Sequence, residues 1–176
     1  MELFTFSSIF FLILALVLKD FYFKIIILAL SISSTIFHML DHEINDDYFI
    51  IEYIRKIDIS IIFLLAIYIL TNNIFISAIL FMLFTIIYSK YDISIIALFT
   101  YVIGLIKIIY VILKNENFNC AILLFSLIFI GIICLVNNNK IYKNIPYHVS
   151  WNRQNAFIWH FINCIVLYIG LSICKK

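Results

Sequence analysis

Long apolar blocks alternate with short polar clusters along almost the whole chain. The clusters are Lys19-Asp20, DHEINDD at 41–47, Asn72-Asn73, SKYD at 89–92, KNENFN at 114–119 and NNNKIYKNIPYHVSWNRQ at 137–154. Between them the apolar runs lie at about 3–18, 21–40, 57–71, 74–88, 93–113, 120–136 and 155–173. A helix needs about 20 residues to cross a bilayer, within a range of roughly 17–25. The pattern therefore predicts an all-α chain, an integral membrane bundle of seven transmembrane helices. The first and third runs are short for a full crossing, so they are less tilted or extend into the interface. The stretch YFIIEYIRK at 48–56 reads as interfacial. The first run follows MEL, has no basic n-region and lacks a small-x-small cleavage site, which predicts a retained helix and not a signal peptide.

The length of 176 residues is that of one domain, residues 1–176. No loop is long enough for a soluble domain, and no internal repeat is visible. A hydrophobic fraction of 65% and a mean hydropathy of +1.13 exceed what a soluble fold could cover with polar surface. Ile, Phe, Tyr, Asn and Lys are plentiful while Gly, Pro and Trp are scarce, a bias that an AT-rich genome supplies. The aromatic excess is therefore no sign of ligand stacking. A net charge of +2 without a basic cluster points to no nucleic acid. The basic residues divide almost evenly between the two sides, so they do not orient the chain. Cys120, Cys134, Cys164 and Cys174 lie within or at the ends of apolar runs, with no CxxC pair, and read as small buried hydrophobes.

Ionisable groups at membrane depth are costly and need individual accounts. Four stand out: His38, Asp58, Lys107 and His160. Helix 2 ends where helix 3 begins, and helix 7 begins on that same side. At 1.5 Å per residue, His38 and His160 both fall within roughly 10 Å of one interface. Asp58 enters from there too. Ser34 is one turn below His38 and Asp41 one turn above, so the three share a helix face. Lys107 lies nearer the opposite surface and can snorkel there.

Two neutral imidazoles with carboxylates suit zinc, and a catalytic zinc site keeps one position for water. In such a site His38 and His160 are metal ligands. Asp58 would orient or deprotonate the water, and Ser34 would hydrogen-bond the developing oxyanion. The plainer reading makes each histidine interhelical glue, the Ser33–Ser34–Thr35 hydroxyls partners of their own helix, Asp41 part of a solvated loop and Trp159 an interface anchor.

Ser34, Phe37 and His38 as S-x-x-x-H, Asp58 opening the next helix, and the pair Trp159-His160 opening the seventh resemble the CREST superfamily. That superfamily holds the alkaline ceramidases, the progestin and adipoQ receptors and the post-GPI-attachment phospholipases. FHMLD at 37–41 is similar to the Tyr-His-x-x-Asp of the last branch, as is the long gap from His38 to Asp58. The resemblance implies a seven-helix fold, an intramembrane zinc site held by histidines with a Ser and an Asp, and an endomembrane location. It also expects H-x-x-x-H on helix 7, where this chain has Ala156 four residues before His160. His148 could supply the missing imidazole if the loop at Pro146 folds back. In one continuous helix it would be about 18 Å away. Failing His148, Asp58 or Asp41 completes the site.

Three functions follow. The first is a zinc-dependent hydrolase of a lipid amide or ester. The second is a non-catalytic receptor or lipid-binding protein of the same fold that has lost part of the zinc site. A channel or transporter is the weakest, since no polar file crosses the membrane. In the first two the partner is a membrane lipid, as substrate or ligand, in the endomembrane system or the plasma membrane.

Overall fold

The computed structural model of the chain describes residues 8–43, 48–115, 117–141 and 153–173. Among the described residues there are seven helices and no strand. They are α1 (Ile9–Val17), α2 (Phe21–Glu43), α3 (Tyr48–Thr71), α4 (Ile74–Lys90), α5 (Ser94–Lys114), α6 (Phe118–Ile141) and α7 (Arg153–Ile173).

Three of the polar clusters between the apolar runs cap the helices that follow. Asp20 Oδ1 accepts from Phe23 N at 2.9 Å, Asn73 Oδ1 from Phe75 N and Ile76 N at 3.0 and 3.2 Å, and Asn117 Oδ1 from Cys120 N at 3.3 Å. Each carboxylate or amide oxygen takes up backbone N–H groups that have no partner within the first turn. Asn72 adopts a left-handed conformation (φ 52°), so α3 stops and α4 starts within two residues. Asparagine tolerates that region better than other side chains do.

Residues 48–56, expected at an interface, are the first turns of α3 and continue unbroken into 57–71. No glycine or proline interrupts them, and the Glu52–Arg55 pair supports the helix at i, i+3 spacing. Helix α3 packs on α2, α4 and α5, while α7 packs on α6, α1 and α5. Beyond Ile57 no large apolar side chain of α3 is exposed, which makes α3 the centre of the bundle. The peripheral helices expose theirs, including Leu16, Phe75, Ile86, Phe99, Phe125 and Phe161.

The most deeply buried core positions include Ile27, Leu65, Ala66, Ile112, Leu124 and Leu167, all at 1% exposure or less. Two glycines permit close helix contacts. A Cβ on Gly131 of α6 would lie 2.9 Å from Trp159 Cζ3 of α7, and one on Gly170 of α7 would run into Ile108 Cγ2 of α5. By length and apolarity, Phe21–Met39 of α2 and α5 could cross a membrane; Ile74–Lys90, Phe118–Ile133 and Ile158–Ser172 are shorter apolar helices. Lys107, expected to snorkel, packs against the end of α3. Its Nζ donates to Ile69 O at 3.0 Å and to Leu70 O at 2.8 Å, taking up carbonyls left over at the end of α3.

Candidate functional site

The end of α2, the first half of α3 and the starts of α5 and α7 surround a cavity of about 320 Å³. Its polar lining is Ser34, Arg55, Ser94, Asp58, Tyr101, His160 and Asn163, set among apolar walls that include Leu30, Ile62 and Leu167. Polar groups on four helices thus converge at one end of an otherwise apolar bundle.

His38 of α2 and His160 of α7 meet edge-on, with ring centroids 5.2 Å apart and planes at 61°. His160 is buried, and Phe11 of α1 lies 5.2 Å from it on centroids. Phe37 stands at the same distance from His38. Asp58 of α3 receives a 2.7 Å hydrogen bond from Ser33 Oγ, which also lies 3.1 Å from Leu30 O. Ser34, the adjacent residue, is 1% exposed and its Oγ has no hydrogen-bond partner among the described residues. An orphaned buried hydroxyl facing a cavity is costly unless something in the cavity bonds to it.

The far wall is held by Tyr101, whose OH donates to Asn163 Oδ1 at 2.7 Å, while Asn163 Nδ2 donates to Trp159 O at 2.8 Å. That chain ties α5 to α7 beside His160. Trp159 packs against Gly131. Arg55 reaches the cavity with its guanidinium gripped by both oxygens of Glu52, at 2.8 and 2.7 Å, and lies 3.6 Å from Asp92 after α4.

Of the residues singled out from the sequence, Ser34, Asp58 and His160 line the cavity and His38 adjoins His160. Asp41 continues α2 one turn beyond His38, but its side chain is outside the described ones, and so is the whole of His148. Ser33 was read only as a partner of its own helix, which its contact with Leu30 O matches, and its bond to Asp58 was missed; Arg55, Tyr101 and Asn163 were not read as part of the site. An amide inside the apolar IWHFINCIVLY, three residues after His160, was a signal that could have found Asn163.

Two imidazoles bound through one nitrogen each to a tetrahedral ion have ring centroids about 5 Å apart, given zinc–nitrogen bonds of about 2.0–2.1 Å. The His38–His160 spacing fits that, and the donor types suit zinc. Among the described residues no group of three or more His, Cys, Asp or Glu side chains is gathered as a metal site. No protein-family model, curated protein or solved structure matches the chain.

Proposed function

We propose that the chain is a multi-pass membrane protein with seven transmembrane helices, similar to the CREST superfamily, in an endomembrane or plasma membrane. Its cavity is the site of a zinc-dependent hydrolase acting on an amide or ester bond of a membrane lipid. The single observation behind this is the His38–His160 pair beside a cavity that also presents Ser34 and Asp58. The membrane setting is supported by the 65% hydrophobic composition and by the apolar side chains exposed on the peripheral helices.

His38 and His160 would hold the zinc, with Asp41 or His148 as third donor. Bound there, zinc supplies a water of pKa about 7. Asp58, steadied by Ser33, accepts a proton from the attacking water at its carboxylate and returns it to the amine or alcohol that leaves as the scissile bond breaks. Ser34 donates its unpartnered hydroxyl to the oxyanion that develops on the scissile carbonyl. The apolar walls receive the lipid chain and exclude bulk water.

Metal content of the detergent-purified protein, measured by mass spectrometry beside His38→Ala and His160→Ala, tests the reading. About one zinc per chain, lost in both variants, is expected. A metal-free, well-folded wild type favours the second reading, a non-catalytic lipid-binding protein or receptor of the same fold. That reading draws on Ala156 in place of a ligand and on the lack of a third donor among the described side chains.

A further inference from the structure

The opposite face of α3 carries a second cavity, of about 280 Å³, between that helix and the last turns of α4. Arg55 and Lys56 are neighbours in the chain, but successive residues of a helix point about 100° apart. Arg55 therefore lines the first cavity and Lys56 the second. Their electrostatic situations differ. Arg55 has Glu52 and Asp92, whereas Lys56 has no ion pair among the described residues. Glu52 lines this second cavity too, but its carboxylate is bound by Arg55 through both oxygens and makes no ion pair with Lys56 among the described residues. Lys56 is half-buried, with Nζ 5.7 Å from the ring centroid of Tyr88. An ammonium drawn partly out of water without a counter-anion is costly, and an anion supplied from outside removes that cost.

Around Lys56 the cavity presents hydroxyls of Ser60, Thr85 and Ser89. Each now donates to a carbonyl of its own helix, at 2.8, 2.8 and 2.7 Å respectively. Such bonds are easily exchanged, because a hydroxyl proton rotates to suit its surroundings. One cation and three hydroxyls suit a phosphate group, whose oxygens accept several charge-assisted bonds. The flanks are apolar: Ile57, Ile86 and Ile87 are all exposed beside these polar residues. We propose that the α3–α4 cavity binds the phosphate of an anionic lipid, with Lys56 as its cationic contact and the lipid chains lying along exposed α4. This site is separate from the proposed zinc cavity and does not depend on zinc.

The full-length protein in neutral detergent is titrated with dioctanoyl phosphatidic acid, with dioctanoyl glycerol and with inorganic phosphate, following the thermal unfolding midpoint. A saturable rise is expected with phosphatidic acid and not with dioctanoyl glycerol. Its apparent affinity should weaken about tenfold in Lys56→Gln, the loss of one charge-assisted contact. It should hold in Lys56→Arg and in Lys90→Gln. Thr85→Val, which keeps the cation, should weaken it by a few fold and serves where Lys56→Gln does not fold. An equal rise with dioctanoyl glycerol, no rise at all, or unchanged affinity in the Lys56→Gln and Thr85→Val variants overturns the site. A Lys56-dependent rise with inorganic phosphate equal to that with phosphatidic acid overturns the lipid as its source.

Discussion

Ser33 of α2 donates its hydroxyl to Asp58 of α3 across 2.7 Å, while Ser34, one residue further on, keeps a buried hydroxyl with no partner among the described residues. Two neighbouring serines thus have opposite energetic roles. Ser33→Ala strips a half-buried carboxyl of its donor and should destabilise the fold by about 1–2 kcal/mol. Ser34→Ala removes an orphan and should change stability by less than about 0.5 kcal/mol. Reversible unfolding in bicelles, followed by circular dichroism, separates the two. On the hydrolase reading Ser34→Ala should still lower turnover about a hundredfold, the usual cost of one oxyanion donor.

Lys107 closes the far end of the central helix through the carbonyls of Ile69 and Leu70. Lys107→Met preserves the length of the side chain and removes both bonds. The variant should lose about 1–3 kcal/mol, because charged donors make the stronger hydrogen bonds. The same unfolding assay reads this. Stability equal to wild type would mean that water or headgroups serve those carbonyls equally well.

Gly170 gives α7 room to lie against Ile108 of α5. The blocking atom is Cγ2 of a β-branched residue, whose χ1 has little freedom in a helix. Gly170→Ala should therefore cost about 1–3 kcal/mol by overpacking. Adding Ile108→Ala should return part of that loss, and a double-mutant cycle measures the coupling. Simple additivity of the two substitutions would show that the helices separate without strain.

Asp92 lies outside the helices, in the turn between α4 and α5. The hydroxyl and backbone N–H of Ser94, with a lesser contribution from Arg55, hold its carboxyl below the usual carboxylate range. A depressed pKa in the folded state adds stability above the unfolded value, about 3.9, and that contribution fades as pH falls through the folded value. Asp92→Asn should thus lower the unfolding midpoint at pH 7 and match wild type at the acid end. The effect is modest, since the Asp92 side chain is 59% exposed and solvent screens it. A variant gap that widens on acidification would contradict the assignment.

Helices were legible because apolar blocks and polar breaks are local properties. Asp20, Asn73 and Asn117 stand where the sequence breaks, and each caps the helix that follows. The start of α3 was less legible, since Glu52, Arg55 and Lys56 look like an interface, while Asp92, the second carboxylate beside Arg55, and Tyr88, the ring beside Lys56, come from beyond α3. Helical parity placed His38, Asp58 and His160 at one end of the bundle, because a chain that reverses at every turn leaves few choices.

Which side chains touch was a tertiary matter. Helix rotation about its own axis gives Ser33, and not Ser34, to Asp58, and sends Arg55 and Lys56 into different cavities. Tyr101 meets Asn163 although 62 residues separate them. Composition and spacing hold the number and order of the helices and the breaks between them. The azimuth and approach of one helix to another come from packing at positions such as Gly170 and Ile108, and no single segment encodes them.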